Sequence, residues 1–198
     1  MAFQYFIIYK PFGVLSQFTA TDGKKSLKDF FDVPVNVYPV GRLDADSEGL
    51  LILTNDKALN HLLLDPTKNH EREYFVQVEG LITKQAIYQL QNGVTIKVEN
   101  KKMITQKCNV FIFENPPLLP ERNPAIRVRK TIPDSWIKII LTEGKNRQVR
   151  KMTAAVGFPT LRLVRYRVEK INIDKLQPGE MCMISGKELY NLLKIKNY

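Results

Sequence analysis

Residues 41–56 read GRLDADSEGLLILTND, which sets Asp44, Asp46 and Glu48 directly before the unbroken apolar run 50–53. A short apolar run bounded by turn residues predicts a strand buried on both faces, so the acids sit at the mouth of a core strand. Three uses of such acids compete: ion binding, catalysis, or decoration of a turn. An EF-hand loop takes oxygen ligands at its positions 1, 3 and 5, glycine at 6 and a bidentate glutamate at 12. Asp44, Asp46, Glu48 and Gly49 begin that pattern, but Asn55 falls at the closing position. A strand occupies the part that must wrap the ion, and the segment 36–40, rich in Val, Tyr and Pro, supplies no preceding helix. The calcium reading is therefore set aside, and no metal is expected.

The rest of the chain narrows the setting. With 198 residues it can bury a substantial core in one domain or in two packed subdomains. A hydrophobic fraction of 44% with 25% charge describes an ordinary globular protein, which excludes a disordered or fibrous chain. No apolar run approaches the roughly 20 residues of a membrane span, and a cytoplasmic protein is expected. Cys108 and Cys182 lack metal-ligand spacing and sit in strand-like runs, so they are expected as buried thiols.

The net charge is +10 and unevenly placed: residues 145–170 hold eight Lys or Arg against one acid, Glu169. Arginines outnumber lysines there, and Phe158 and Tyr166 are interleaved. Guanidinium groups grip phosphates and stack on bases, so a polyanionic partner is expected.

Along the chain, strands are expected at 3–9, 50–53, 73–79, 104–113, 125–130, 135–142, 160–168 and 180–184. Short helices are expected after Ser26, after a cap at Asn55 and ending before Pro66, at 83–92 closed by Gly93, and after Ser185. Several strands follow one another without regularly intervening helices. That pattern argues for an α+β fold with a largely antiparallel mixed sheet and flanking helices. The proline-rich segment 114–125 reads as a bridge between strands.

Five blocks, YKPFGVLSQFT, GRLDADSEGLLILTND, REYFVQVEG, EGKNRQVRKM and LRLVRYRVEKINIDKLQPGE, resemble in order and spacing the bacterial ribosomal RNA pseudouridine synthases. The resemblance covers nearly the whole chain. Ser47, Lys57, Arg72 and Lys151 depart from the usual family residues without removing a group the chemistry requires. The family implies a catalytic fold of two packed subdomains around a cleft. Because the KPFG block begins at Lys10, the resemblance implies a single catalytic domain over 1–198 without the accessory N-terminal RNA-binding domain of many members.

The implied reaction breaks the bond between ribose C1′ and uracil N1, turns the base, and rejoins it through C5. It involves no redox change, so no cofactor is expected. By resemblance Asp44 is the nucleophile or charge stabiliser, Arg150 the arginine paired with it, and Tyr74 the tyrosine that packs on the uracil. A nearby cation would keep the aspartate ionised against desolvation. Arg42, two residues before Asp44, could fill the space left by a flipped base. Lys145, Arg147, Lys151, Arg162, Arg165 and Arg167 are candidate phosphate contacts. The expected partner is ribosomal RNA, of the large subunit first, and the protein is expected to be a monomer. Competing expectations are a noncatalytic RNA-binding assembly factor, or the same chemistry on small-subunit RNA or tRNA.

Overall fold

The computed structural model describes residues 2–21, 23–126 and 132–196. In chain order its strands are β1 (Tyr5–Lys10), β2 (Tyr38–Pro39), β3 (Glu48–Thr54), β4 (Arg72–Glu79), β5 (Thr95–Val98), β6 (Lys101–Ile104), β7 (Asn109–Ile112), β8 (Asp134–Leu141), β9 (Thr160–Val168), β10 (Ile171–Asn172) and β11 (Met181–Met183). The α-helices are α1 (Lys57–Leu64), α2 (Lys84–Asn92), α3 (Gln148–Ala155) and α4 (Gly186–Leu192). The fold is α+β, with mostly antiparallel pairing. The chain divides into two compact units, one running to His70 and resuming at Val164, the other comprising Glu71–Leu163.

In the first unit the strand order is β11-β1-β3-β9. Strands β1 and β3 pair antiparallel from Tyr5↔Thr54 to Lys10↔Gly49, while β3 meets β9 in parallel at Glu48↔Val164 and Gly49↔Arg165. Every residue of β1 and β3 is buried. Burial on both faces explains why residues 50–53 form an unbroken apolar run rather than an alternating one. One face packs Phe6, Ile8, Leu51 and Leu53 against Val14, Leu27 and Phe31.

The start of α1 shows how the first unit is tied together. Asp56, not Asn55, is its N-cap, accepting from the amides of Ala58 and Leu59 at 2.9 and 3.3 Å. Asn55 is engaged elsewhere, its Oδ1 accepting from the amide of Gln4 at 2.8 Å. The other oxygen of Asp56 accepts from the hydroxyls of Tyr5 at 2.9 Å and Tyr190 at 2.6 Å. One buried carboxylate thus joins α1, β1 and α4. Burial raises its pKa, but the hydroxyls of Tyr190 and Tyr5 and the two helix amides outweigh this and hold it below the usual carboxylate range. Asp56→Ala is expected to cost about 3 kcal/mol at neutral pH, the sum of a lost cap and two stranded hydroxyls. A depressed carboxylate stabilises above its unfolded pKa and ceases to do so as pH falls through its folded value. Urea unfolding of wild type and variant at pH 7 and below pH 4 should therefore show the gap closing in acid.

In the second unit the order is β9-β4-β8-β7. Strands β4 and β8 pair antiparallel over their whole length, Arg72↔Leu141 to Glu79↔Asp134, and β7 pairs with β8 from Asn109↔Ile140 to Ile112↔Ile137. Val76, Val78, Ile137, Ile139 and Leu141 point into a core closed by Ala86 and Leu90 of α2 and Val149 and Met152 of α3. The expected single strand over 104–113 is instead the end of β6 and all of β7. Between them the amide of Thr105 donates to Val94 O and that of Cys108 to Gln91 O, so the chain changes partners there. The β5–β6 hairpin itself was not expected from sequence. The strand expected at 125–130 falls largely outside the described residues. Cys108 is half-buried and Cys182 is exposed on β11, which corrects the expectation of two buried thiols. No helix among the described residues is long and apolar enough to cross a membrane.

Candidate active site

The register Lys10↔Gly49 brings the end of β1 beside the start of β3, so the loops 11–16 and 41–47 issue from the same edge of the first unit. They are laced together around Asp44. The amide of Gly13 donates to Ala45 O at 2.7 Å. Ser16 Oγ donates to Leu43 O at 2.7 Å and accepts from the amide of Leu43 at 3.0 Å. The amide of Ser47 closes the turn onto Asp44 O at 3.0 Å. Both neighbours of Asp44 and its own carbonyl are thereby held, which leaves the half-buried carboxylate on a fixed backbone. Arg42 is exposed on the same loop.

Behind this loop lies a buried charge cluster. Lys10 is fully buried, and its Nζ donates to Pro11 O at 2.9 Å and Val14 O at 2.7 Å. Burial pushes the ammonium down to about 7, while Glu48, Asp46 and Asp44 pull it up and Arg165 adds to the lowering. Glu48 is itself 1% exposed. Lys10 therefore backs the segment bearing Asp44 and makes the turn 10–14 rigid. Its role was not expected from sequence, because a lysine before proline carries no local signal of burial.

A lysine whose folded pKa is lowered binds its proton less well in the folded chain than in the unfolded one. Between about pH 7 and the ordinary lysine value near 10.5, the unfolded chain holds the extra proton, so stability rises with pH across that window. Lys10→Met should lose this rise. Relative to the variant, the wild type is expected to gain up to about 1.4 kcal/mol per pH unit within the window. Urea unfolding at pH 7, 8 and 9 checks the slope, and equal slopes would refute the assignment.

The second unit carries the other candidates. Tyr74 lies on β4 opposite Ile139, half-buried against the core that contains Val76 and Val78. Arg150 lies in the first turn of α3, half-buried, with Nη1 donating to Thr160 O at 3.4 Å. The cap of α3 is Arg147 in a left-handed conformation (φ 53°), not Asn146. The turn before it is organised by Gln148, whose Oε1 accepts from the amide of Lys145 at 2.9 Å and whose Nε2 donates to Glu143 Oε1 at 2.6 Å. That inward-turned glutamine fixes where the first helical residues go. Asn146 instead accepts from Lys151 Nζ at 3.3 Å.

The basic candidates separate into two groups. Lys145 and Arg147 are exposed and Lys151 half-buried, all on or beside α3. Arg162 and Arg165 are 6% and 7% exposed, contrary to a role as displayed phosphate contacts. Arg162 Nη2 donates to Pro120 O and Arg165 Nε to Leu50 O, both at 2.8 Å. Arg167 Nη1 is likewise turned onto Glu169 O. Buried guanidinium groups need such acceptors, and Arg162 and Arg165 serve as internal struts, whereas Arg167 is half-buried.

Comparison with known proteins identifies the family and the fold. A family model described as RNA pseudouridylate synthase matches residues 4–155. The chain is 48% identical over 179 residues to the ribosomal large subunit pseudouridine synthase E of Vibrio vulnificus, covering 90% of this chain and 74% of that one. It is 47% identical over 176 residues to the protein of the same name from Xanthomonas campestris pv. campestris, covering 88% of this chain and 91% of the relative. A solved pseudouridylate synthase crystal structure superposes with a TM-score of 0.76 at 24% identity, covering 96% of this chain and 74% of that one, which speaks for the fold.

Proposed function

This chain belongs to the RNA pseudouridylate synthase family, and from that membership we propose that it converts one uridine of large-subunit ribosomal RNA to pseudouridine. The supporting observation is the double-sided anchoring of the Asp44 loop, since a group acting at a sugar carbon must be held in place before substrate arrives. Asp44 acts at ribose C1′, as nucleophile or as the charge opposite an electron-poor sugar. Tyr74 packs on the uracil, and Arg150 serves as the family's arginine partner of the catalytic carboxylate. Arg42 occupies the stack vacated by the flipped base, at a cost of a few kcal/mol of unstacking. Lys145, Arg147 and Lys151 contact phosphates.

The atoms balance without a cofactor. The C1′–N1 bond breaks, a C1′–C5 bond forms, the C5 hydrogen leaves as a proton, and N1 gains one. A single chain carries every proposed group, which is compatible with the monomer proposed here, and a ribosomal RNA substrate supports a cytoplasmic protein.

The test is tritium release from transcripts labelled at uridine C5. Release from large-subunit RNA, with none from small-subunit RNA or tRNA, is expected. Release from another RNA alone would move the substrate, and binding without release from any would favour an assembly factor.

A further inference from the structure

The β5–β6 hairpin stands apart from the main pairing of the second unit as its own two-stranded element. Its loop is the residue pair Glu99 and Asn100, both left-handed at φ 47° and 65°. That backbone matches the twist of the flanking strands and fixes their register. Ile96 and Met103 pair on the inner face and join the core, where β5 packs against α3. The outer face is formed by the pairs Thr95↔Ile104 and Lys97↔Lys102, all four exposed, with Lys101 exposed at the tip.

Two lysines directly opposite on an exposed strand pair repel each other and destabilise the hairpin. Among the described residues none of Lys97, Lys101 and Lys102 makes an ion pair that would offset this. Glu99, the one acid between residues 95 and 104, lies in the turn. The two ammonium groups rise from Cβ atoms about 5 Å apart on flexible stems, a spacing that lets them share one phosphate or take two neighbouring ones. Lysine rather than arginine suits a contact that reads charge and not base identity.

We propose that the outer face of the β5–β6 hairpin is a phosphate-contact site for RNA flanking the target uridine, with Lys97 and Lys102 as the paired cations and Lys101 at the rim. This rests on the pseudouridine synthase reading. The hairpin is mounted on α3, the helix of Arg150, so RNA held there is registered to the element that carries a proposed catalytic group.

The test compares the full chain with Lys97→Gln/Lys102→Gln on a large-subunit transcript, reading tritium release and RNA binding between 50 and 200 mM salt. KM is expected to rise about tenfold with kcat unchanged, and the slope of log Kd against log salt to become shallower by about 1 to 2. Removing the repulsion should leave Tm unchanged or raise it, so misfolding does not mimic the effect. Lys97→Arg/Lys102→Arg should restore both values. Unchanged KM and unchanged slope, or a fall in kcat alone, would overturn the proposal. A wild type that binds RNA but releases no tritium would remove the activity reading, while the salt slope would still decide the hairpin.

Discussion

Asp44→Asn is expected to abolish tritium release, lowering turnover by about 10⁴-fold, as loss of a reacting group does elsewhere. The amide keeps the size of the carboxylate but neither attacks C1′ nor carries the charge that an electron-poor sugar needs. The effect on the fold should be small, since Asp44 is the least of the three carboxylates that offset the burial of Lys10. The loop is held through Leu43 and Ala45 and through the backbone carbonyl of Asp44, none of which the substitution touches. Tm and RNA affinity should accordingly stay near wild type. Release at the wild-type rate would exclude Asp44 as the reacting group. A parallel fall in Tm would mean that the side chain helps to fold the loop.

Gly49→Ala is expected to be the most destabilising single methyl in the first unit. Gly49 has φ +108°, a conformation that L side chains rarely adopt. A Cβ there would lie 2.8 Å from the amide nitrogen of Arg165 and overlap that residue's carbonyl oxygen. These are backbone atoms of the parallel partner strand, so nothing flexible can move aside. A loss of at least about 3 kcal/mol is expected from strain and overpacking together. For a chain of this size that corresponds to a Tm drop of about 10 °C. Gly144→Ala is the control, because its Cβ would meet nothing within 4 Å and its φ is not positive. If both variants melt together, the close approach of β3 and β9 is not the constraint described. Gly49 sits one residue beyond Glu48 of the buried charge cluster, so the same strain should also lower activity in whatever fraction remains folded.

The placement of several candidate residues was legible in the sequence because they lie in short, patterned blocks. The apolar run after three acids placed a buried strand behind Asp44, and β3 is buried at every position. The alternation in 73–79 placed Tyr74 on the face of Val76 and Val78, and the spacing of Val149 and Met152 placed Arg150 beside a helix's inner face. These inferences use a period of two or of about 3.6, which a few neighbouring residues are enough to display.

What the sequence by itself determined was therefore the α+β class, the main strands, the basic character of residues 145–170 and the identity of the candidate groups. The tertiary structure alone decided which of the arginines are displayed. Arg162 and Arg165 look the same in sequence as Arg147, yet two of them end on the carbonyls of Pro120 and Leu50 while the third is exposed. It also decided that Asp56 rather than its neighbour Asn55 caps α1, because hydroxyls 51 and 134 residues away hold the second oxygen of Asp56 and so turn the first toward the helix amides. The burial of Lys10 and the grip of Ser16 on Leu43 are of the same kind. A pattern of hydropathy reports which face of an element is apolar. The partner of a buried polar atom is set by which distant segment the packed chain delivers to it, and local sequence carries no record of that distance.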